Sequence, residues 1–69
     1  MKEQEFYERL NESEQLCAEA IRLSEESIML TEVDLEKSNK MFLKSLSLFA
    51  EGLKKQNEVY REAYEKGFI

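Results

Sequence analysis

Sixty-nine residues with fifteen acidic and ten basic side chains, no histidine, proline or tryptophan, and a single cysteine leave room for one small domain and exclude most catalytic chemistry. A chain this short buries only about 60% of the surface its unfolded form exposes, so any core is marginal by itself. With 42% apolar and 36% charged residues and only two glycines, the composition favours long amphipathic helices over a disordered acidic tail.

The first ten residues, MKEQEFYERL, are acidic where a targeting segment needs a basic or apolar stretch. The longest apolar runs, Ile28–Leu30 and Leu48–Ala50, fall far short of the roughly 18 residues that span a bilayer. The lone Cys17 rules out an internal disulfide and fits a reducing compartment, so a cytoplasmic chain without a membrane segment is expected.

Apolar residues recur at spacings of three, four and seven and never alternate, so the chain reads as a single all-α domain over 1–69. A first helix is expected over about residues 2–29, with Phe6, Leu10, Cys17, Ile21 and Ile28 on one stripe interrupted by Glu14 and Ser24. At the junction Thr31 carries the marks of an N-cap. It offers a hydroxyl, is followed by Glu32 and Asp34, and is flanked by Leu30 and Leu35 at the spacing of a hydrophobic staple. A second helix is expected over about 32–66, with a stronger stripe of Leu35, Phe42, Leu46, Phe49, Leu53, Tyr60 and Tyr64, flanked by Leu43 and Ala50. Because Ile21, Ile28, Leu35, Phe42 and Phe49 keep a seven-residue spacing through Thr31, the alternative is one long continuous helix in an antiparallel dimer.

Folding the halves back on each other pairs Ile28 with Leu35, Ile21 with Phe42, Cys17 with Leu46 and Leu10 with Leu53, leaving Glu14 opposite Phe49 as the one misfit. Charge agrees with that direction. Residues 1–34 hold ten acids and three bases, net −7, and residues 35–69 hold five acids and seven bases, net +2. A separate series of small residues, Ser24, Thr31, Ser38, Ser45 and Gly52, also repeats every seven positions. It either lets two helix backbones approach closely or marks boundary positions that tolerate polar side chains. Gly52 points to close approach, since a glycine inside an exposed helix costs about 1 kcal/mol relative to alanine.

Each helix also carries a second apolar face: Leu16, Leu23 and Leu30 on the first, and Met41, Leu48 and Val59 on the second. Two faces imply two neighbours, so the hairpin is expected to pair into a dimeric four-helix bundle through Leu16, Leu23, Leu30, Met41 and Leu48. A third short helix folded back from either chain end is the intramolecular alternative.

The residue inventory argues against an enzyme. Without histidine there is no imidazole base, no nucleophile–His pair and no Glu-x-x-His metal motif, and no cofactor or metal site is expected. The pairs Glu8–Glu12 and Glu58–Glu62 read as solvated surface, and Cys17 as a small buried hydrophobe. Lys37, Lys40, Lys44, Lys54 and Lys55 form a basic face, but the net charge of −5 argues against nucleic-acid binding. Five of the seven aromatics, Phe6, Tyr7, Tyr60, Tyr64 and Phe68, lie near the chain ends, which an antiparallel fold brings together. Because tyrosine and phenylalanine are favoured in interfaces, this end is the expected partner-binding site, unless the rings merely close the open end of the hairpin. The functional expectation is a small acidic protein–protein interaction module, an adaptor, regulator, inhibitor or secretion-type chaperone working by helix docking. The competing expectation is an acidic inhibitor that imitates nucleic acid through the glutamates of the first half, Glu3, Glu5, Glu8, Glu12, Glu14, Glu19, Glu25 and Glu26.

Overall fold

The computed structural model describes residues 2–68. It contains two helices, α1 (Glu3–Leu30) and α2 (Leu35–Glu65), packed side by side as an antiparallel hairpin. The chain therefore breaks near the expected junction, and the single continuous helix is overturned. No third helix is found among the described residues.

The break differs in chemistry from the sequence expectation. Thr31 is the C-cap of α1, in right-handed helical conformation, with its N–H on the Ile28 carbonyl. The N-cap of α2 is Asp34, whose carboxylate accepts the Lys37 N–H at 3.1 Å. A carboxylate is a strong cap and also meets the positive end of the helix dipole, so Asp34 outcompetes the threonine hydroxyl three residues earlier. Thr31 stays exposed, with its hydroxyl engaged in the turn. Its hydroxyl donates to the Ser27 carbonyl at 3.1 Å and lies 3.3 Å from the Ser38 hydroxyl.

Apart from Phe6 and Val59 at the open end, the seam between the helices is made of small side chains. Along α1 it holds Phe6, Ser13, Ala20 and Ser27, and along α2 Ser38, Ser45, Gly52 and Val59, all buried and each seven residues from the next. These columns run level as Phe6 with Val59, Ser13 with Gly52, Ala20 with Ser45 and Ser27 with Ser38. Small side chains let two helices approach toward the close end of the usual range, about 8 Å between axes. Gly52 is required for that approach, because a Cβ there would stand 2.7 Å from Cys17 Sγ and 3.1 Å from the Ser13 carbonyl oxygen.

Serines in such a seam need partners. Ser13, Ser27 and Ser45 donate to carbonyls three residues back in their own helix, and Ser38 crosses the seam to the Ser27 carbonyl at 2.5 Å. No buried side-chain polar atom among the described residues is left without a partner.

The expected core was the large apolar stripe, and the structure corrects this. Ile21, Ile28, Leu35, Phe42, Leu46, Phe49 and Leu53 are exposed, Ile28 at 71% and Phe42 at 46%. The paired layers are likewise replaced by the small-residue register. The stripe of α2 lies about a quarter-turn around the helix from the seam, so closing the seam leaves the stripe on one broad side.

The open end is closed by rings. Phe6, 5% exposed, packs with Val59 and Ala63, with Leu10 and Phe68 against them. Phe68 reaches this cluster because α2 ends in a Schellman motif. Gly67 takes φ +73° and donates its N–H to the Tyr64 carbonyl, while the Phe68 N–H bonds the Ala63 carbonyl at 2.8 Å. That left-handed conformation favours glycine, and the motif turns the following apolar side chain back onto the helix.

Candidate partner-docking face

A two-helix layer has two broad faces, and their chemistry here is opposite. On the first, the columns Leu35–Phe42–Phe49 and Leu46–Leu53–Tyr60 of α2 stand beside Ile21 and Ile28 of α1, each column stepping by seven residues. Ala20, Ile21, Ser24, Phe42, Ser45, Leu46 and Phe49 together line a shallow groove of about 220 Å³ on this side. That is below the roughly 300 Å³ of a small-molecule site, so the groove suits the side-chain ridge of another helix. A larger concavity along Ala50, Leu53, Lys54, Asn57, Glu58 and Arg61 is bordered by α2 alone and lies on the outer edge of that helix, away from the seam.

On the second face the columns are Arg9–Leu16–Leu23–Leu30 of α1 and Met41–Leu48–Lys55–Glu62 of α2. Leu23 is buried, and Leu16, Leu30, Met41 and Leu48 are half-buried beside the seam. The five residues expected to drive self-association thus spend much of their apolar surface within the hairpin. Val59, expected beside them, is in the core at 2% exposure.

Ion pairs cover the open end of that second face. Arg9 donates to Glu62 across the helices at 2.5 Å, and Lys66 donates to the same carboxylate at 3.0 Å. The Arg9 guanidinium, helped by Lys66, depresses the Glu62 carboxyl to about 2, and Glu62 in turn raises Arg9. Within α1, Arg22 bridges Glu19 and Glu26. The Glu19 carboxyl is held below its usual range, first by Arg22, with a smaller contribution from Lys44 on the other helix. Glu62 of the Glu58–Glu62 pair is thus committed to an ion pair that ties the two helices together. The basic residues of α2 are likewise engaged in part, with Lys40 on Glu36 at 3.3 Å.

The aromatic end divides into two roles. Phe6 makes ring contacts with Tyr7, Tyr60 and Phe68, at centroid separations of 5.4, 5.9 and 5.0 Å. The antiparallel fold therefore assembles four of the five aromatics expected at the partner site. Tyr64 is 75% exposed and stands outside those ring pairs. Phe6 and Phe68 close the hairpin, while Tyr7, Tyr60 and Tyr64 offer surface.

The residues that sequence reasoning missed are Ser13, Ala20 and Ser27. Their signal was present: with Phe6 they repeat every seven positions, as Ser38, Ser45 and Gly52 do, but small polar side chains contribute nothing to a search for apolar stripes. Among the described residues no group of His, Cys, Asp and Glu is arranged to hold a metal, and no helix is long and apolar enough to cross a membrane. Comparison of the chain with known protein families, curated proteins and solved structures returns no match.

Proposed function

We propose that this chain is a helix-docking protein–protein interaction module, non-enzymatic and cytoplasmic, whose working unit is a homodimeric four-helix bundle closed through the face of Ile21, Ile28, Phe42, Leu46, Phe49 and Leu53. The observation that carries this reading is the exposure of Ile21, Ile28, Phe42, Leu46, Phe49 and Leu53 on one side of a hairpin whose own seam, between Phe6 and Val59 at the open end and the turn, is filled by serine, alanine and glycine. Contiguous apolar patches of this kind are rare on monomers and mark interfaces. The hairpin extends about 50 by 16 Å between Cα atoms, long enough for a second hairpin to lie along it.

The proposal moves the dimer contact from Leu16, Leu23, Leu30, Met41 and Leu48 to the opposite face, where more apolar surface is unburied. Docking of a further protein then falls to surfaces that the bundle leaves outward, above all Tyr7, Tyr60 and Tyr64 at the open end. Light scattering tests the dimer at micromolar concentration. The wild type is expected at twice 8.2 kDa, and the double variant Phe42→Glu, Phe49→Glu at the mass of one chain. A wild-type mass of one chain overturns the proposal.

A further inference from the structure

Resting on the dimeric reading above, we infer that the occupant of the apolar face is a second copy in one particular orientation, with both turns at the same end and α1 of each hairpin lying over α2 of the other. Two flat hairpins stacked face to face with two-fold symmetry have two arrangements. If the axis runs along the helices, α1 covers α2 of the second copy and the turns coincide. If the axis runs across them, α1 covers α1, α2 covers α2, and the turns lie at opposite ends.

Charge separates the two. The half containing α1 carries net −7 and the half containing α2 net +2. The crossed arrangement stacks −7 on −7, whereas the same-end arrangement places each acidic helix on a basic one. Opposed like charges at an interface cost affinity and specify against that pairing.

The pattern within the face agrees. Glu14 is the one acidic residue on the column of Ile21 and Ile28, and Ser13 beside it is level with Gly52. With both turns at one end, heights along the bundle are preserved between copies. Glu14 then lies over α2 of the second copy, near the height of Gly52 and Leu53. The one acidic residue of that column thus faces the basic half of the second copy and not its acidic half. The same arrangement puts Ile21 over Phe42 and Leu46, and Ile28 over Leu35, so the apolar layers are filled between copies. It also gathers both open ends, with two copies of the exposed Tyr64, at one pole of the bundle.

The test uses the variant Cys17→Ala, Val33→Cys, with a nitroxide label on the exposed turn residue Val33→Cys, and measures both mass and the label-to-label distance by pulsed dipolar spectroscopy. A dimer with a short distance, a small fraction of the 50 Å hairpin length, is the expected result. A dimer with a distance near 50 Å overturns the orientation and leaves the dimeric reading intact. A single-chain mass overturns both.

Discussion

Gly52 and Cys17 meet at the middle of the seam, where a Cβ on the glycine would come within 2.7 Å of the cysteine sulfur. This contact explains a glycine in the interior of a 31-residue helix, a position that alanine would otherwise stabilise by about 1 kcal/mol. Gly52→Ala is expected to destabilise the fold by about 1 kcal/mol net, overpacking exceeding the helix gain, and Gly52→Val by about 2–3 kcal/mol. Urea melts at fixed protein concentration measure both. Cys17→Ala should recover part of the Gly52→Ala loss, because the two substitutions share one contact. If Gly52→Ala is stabilising, the seam is looser than described.

The aromatic end makes a second prediction, which separates packing from surface. Phe6 is buried among Val59, Ala63 and Phe68, so Phe6→Ala should cost about 3–5 kcal/mol, a large part of the stability of a small domain. Tyr64 is exposed, and Tyr64→Ala should stay within about 0.5 kcal/mol in thermal or urea melts. Loss of partner capture by Tyr64→Ala with an unchanged melt would assign the tyrosine to binding.

Acid stability follows from Glu62. Its carboxyl is depressed from the ordinary 4.5 to about 2, chiefly by Arg9, so the folded chain binds this proton more weakly than the unfolded one. The stabilisation is complete above about 4.5 and is lost as pH falls from there through about 2. Glu19, also depressed, acts with the same sign. A plot of urea midpoint against pH should therefore fall less steeply below 4.5 for Glu62→Gln than for the wild type. Equal slopes would show that the carboxylate is not paired in solution.

How much of this was legible in the sequence depends on the size of the side chains involved. The helices follow from apolar spacing and their antiparallel sense agrees with the charge asymmetry, while the break near Thr31 is marked by capping chemistry against an apolar repeat that runs straight through it. The identity of the buried face does not follow, because hydrophobicity marks Phe42 and Phe49 as core whether the neighbour is in the same chain or in another. Gly52, Ser45 and Ser38 carried the decisive signal through their smallness, which only backbone proximity makes meaningful. The cap moved from Thr31 to Asp34 because both residues offer an oxygen and only the path of the turn selects between them. Of the expected partner site, Phe6 and Phe68 are needed to hold the chain ends, a requirement visible only once the ends are seen to meet.

Coupling between folding and pairing gives a fourth prediction. The buried apolar residues of the hairpin alone are few, namely Phe6, Ala20, Leu23, Val59 and Ala63. Association is expected to supply much of the stability, and Tm should rise with protein concentration. Calorimetry across a hundredfold range of concentration checks this, and a constant Tm would mean that the hairpin stands by itself.

In the proposed dimer a second copy covers Phe42 and Phe49. The most direct measurement is an isotope-filtered NOE experiment on a mixture of labelled and unlabelled chains, which detects only contacts between copies. The proposed dimer should give intermolecular NOEs from the Phe42 ring to the Ile21 methyl groups and from Leu35 to Ile28. A mixture that gives well-resolved spectra with no intermolecular NOE to either phenylalanine ring would contradict it.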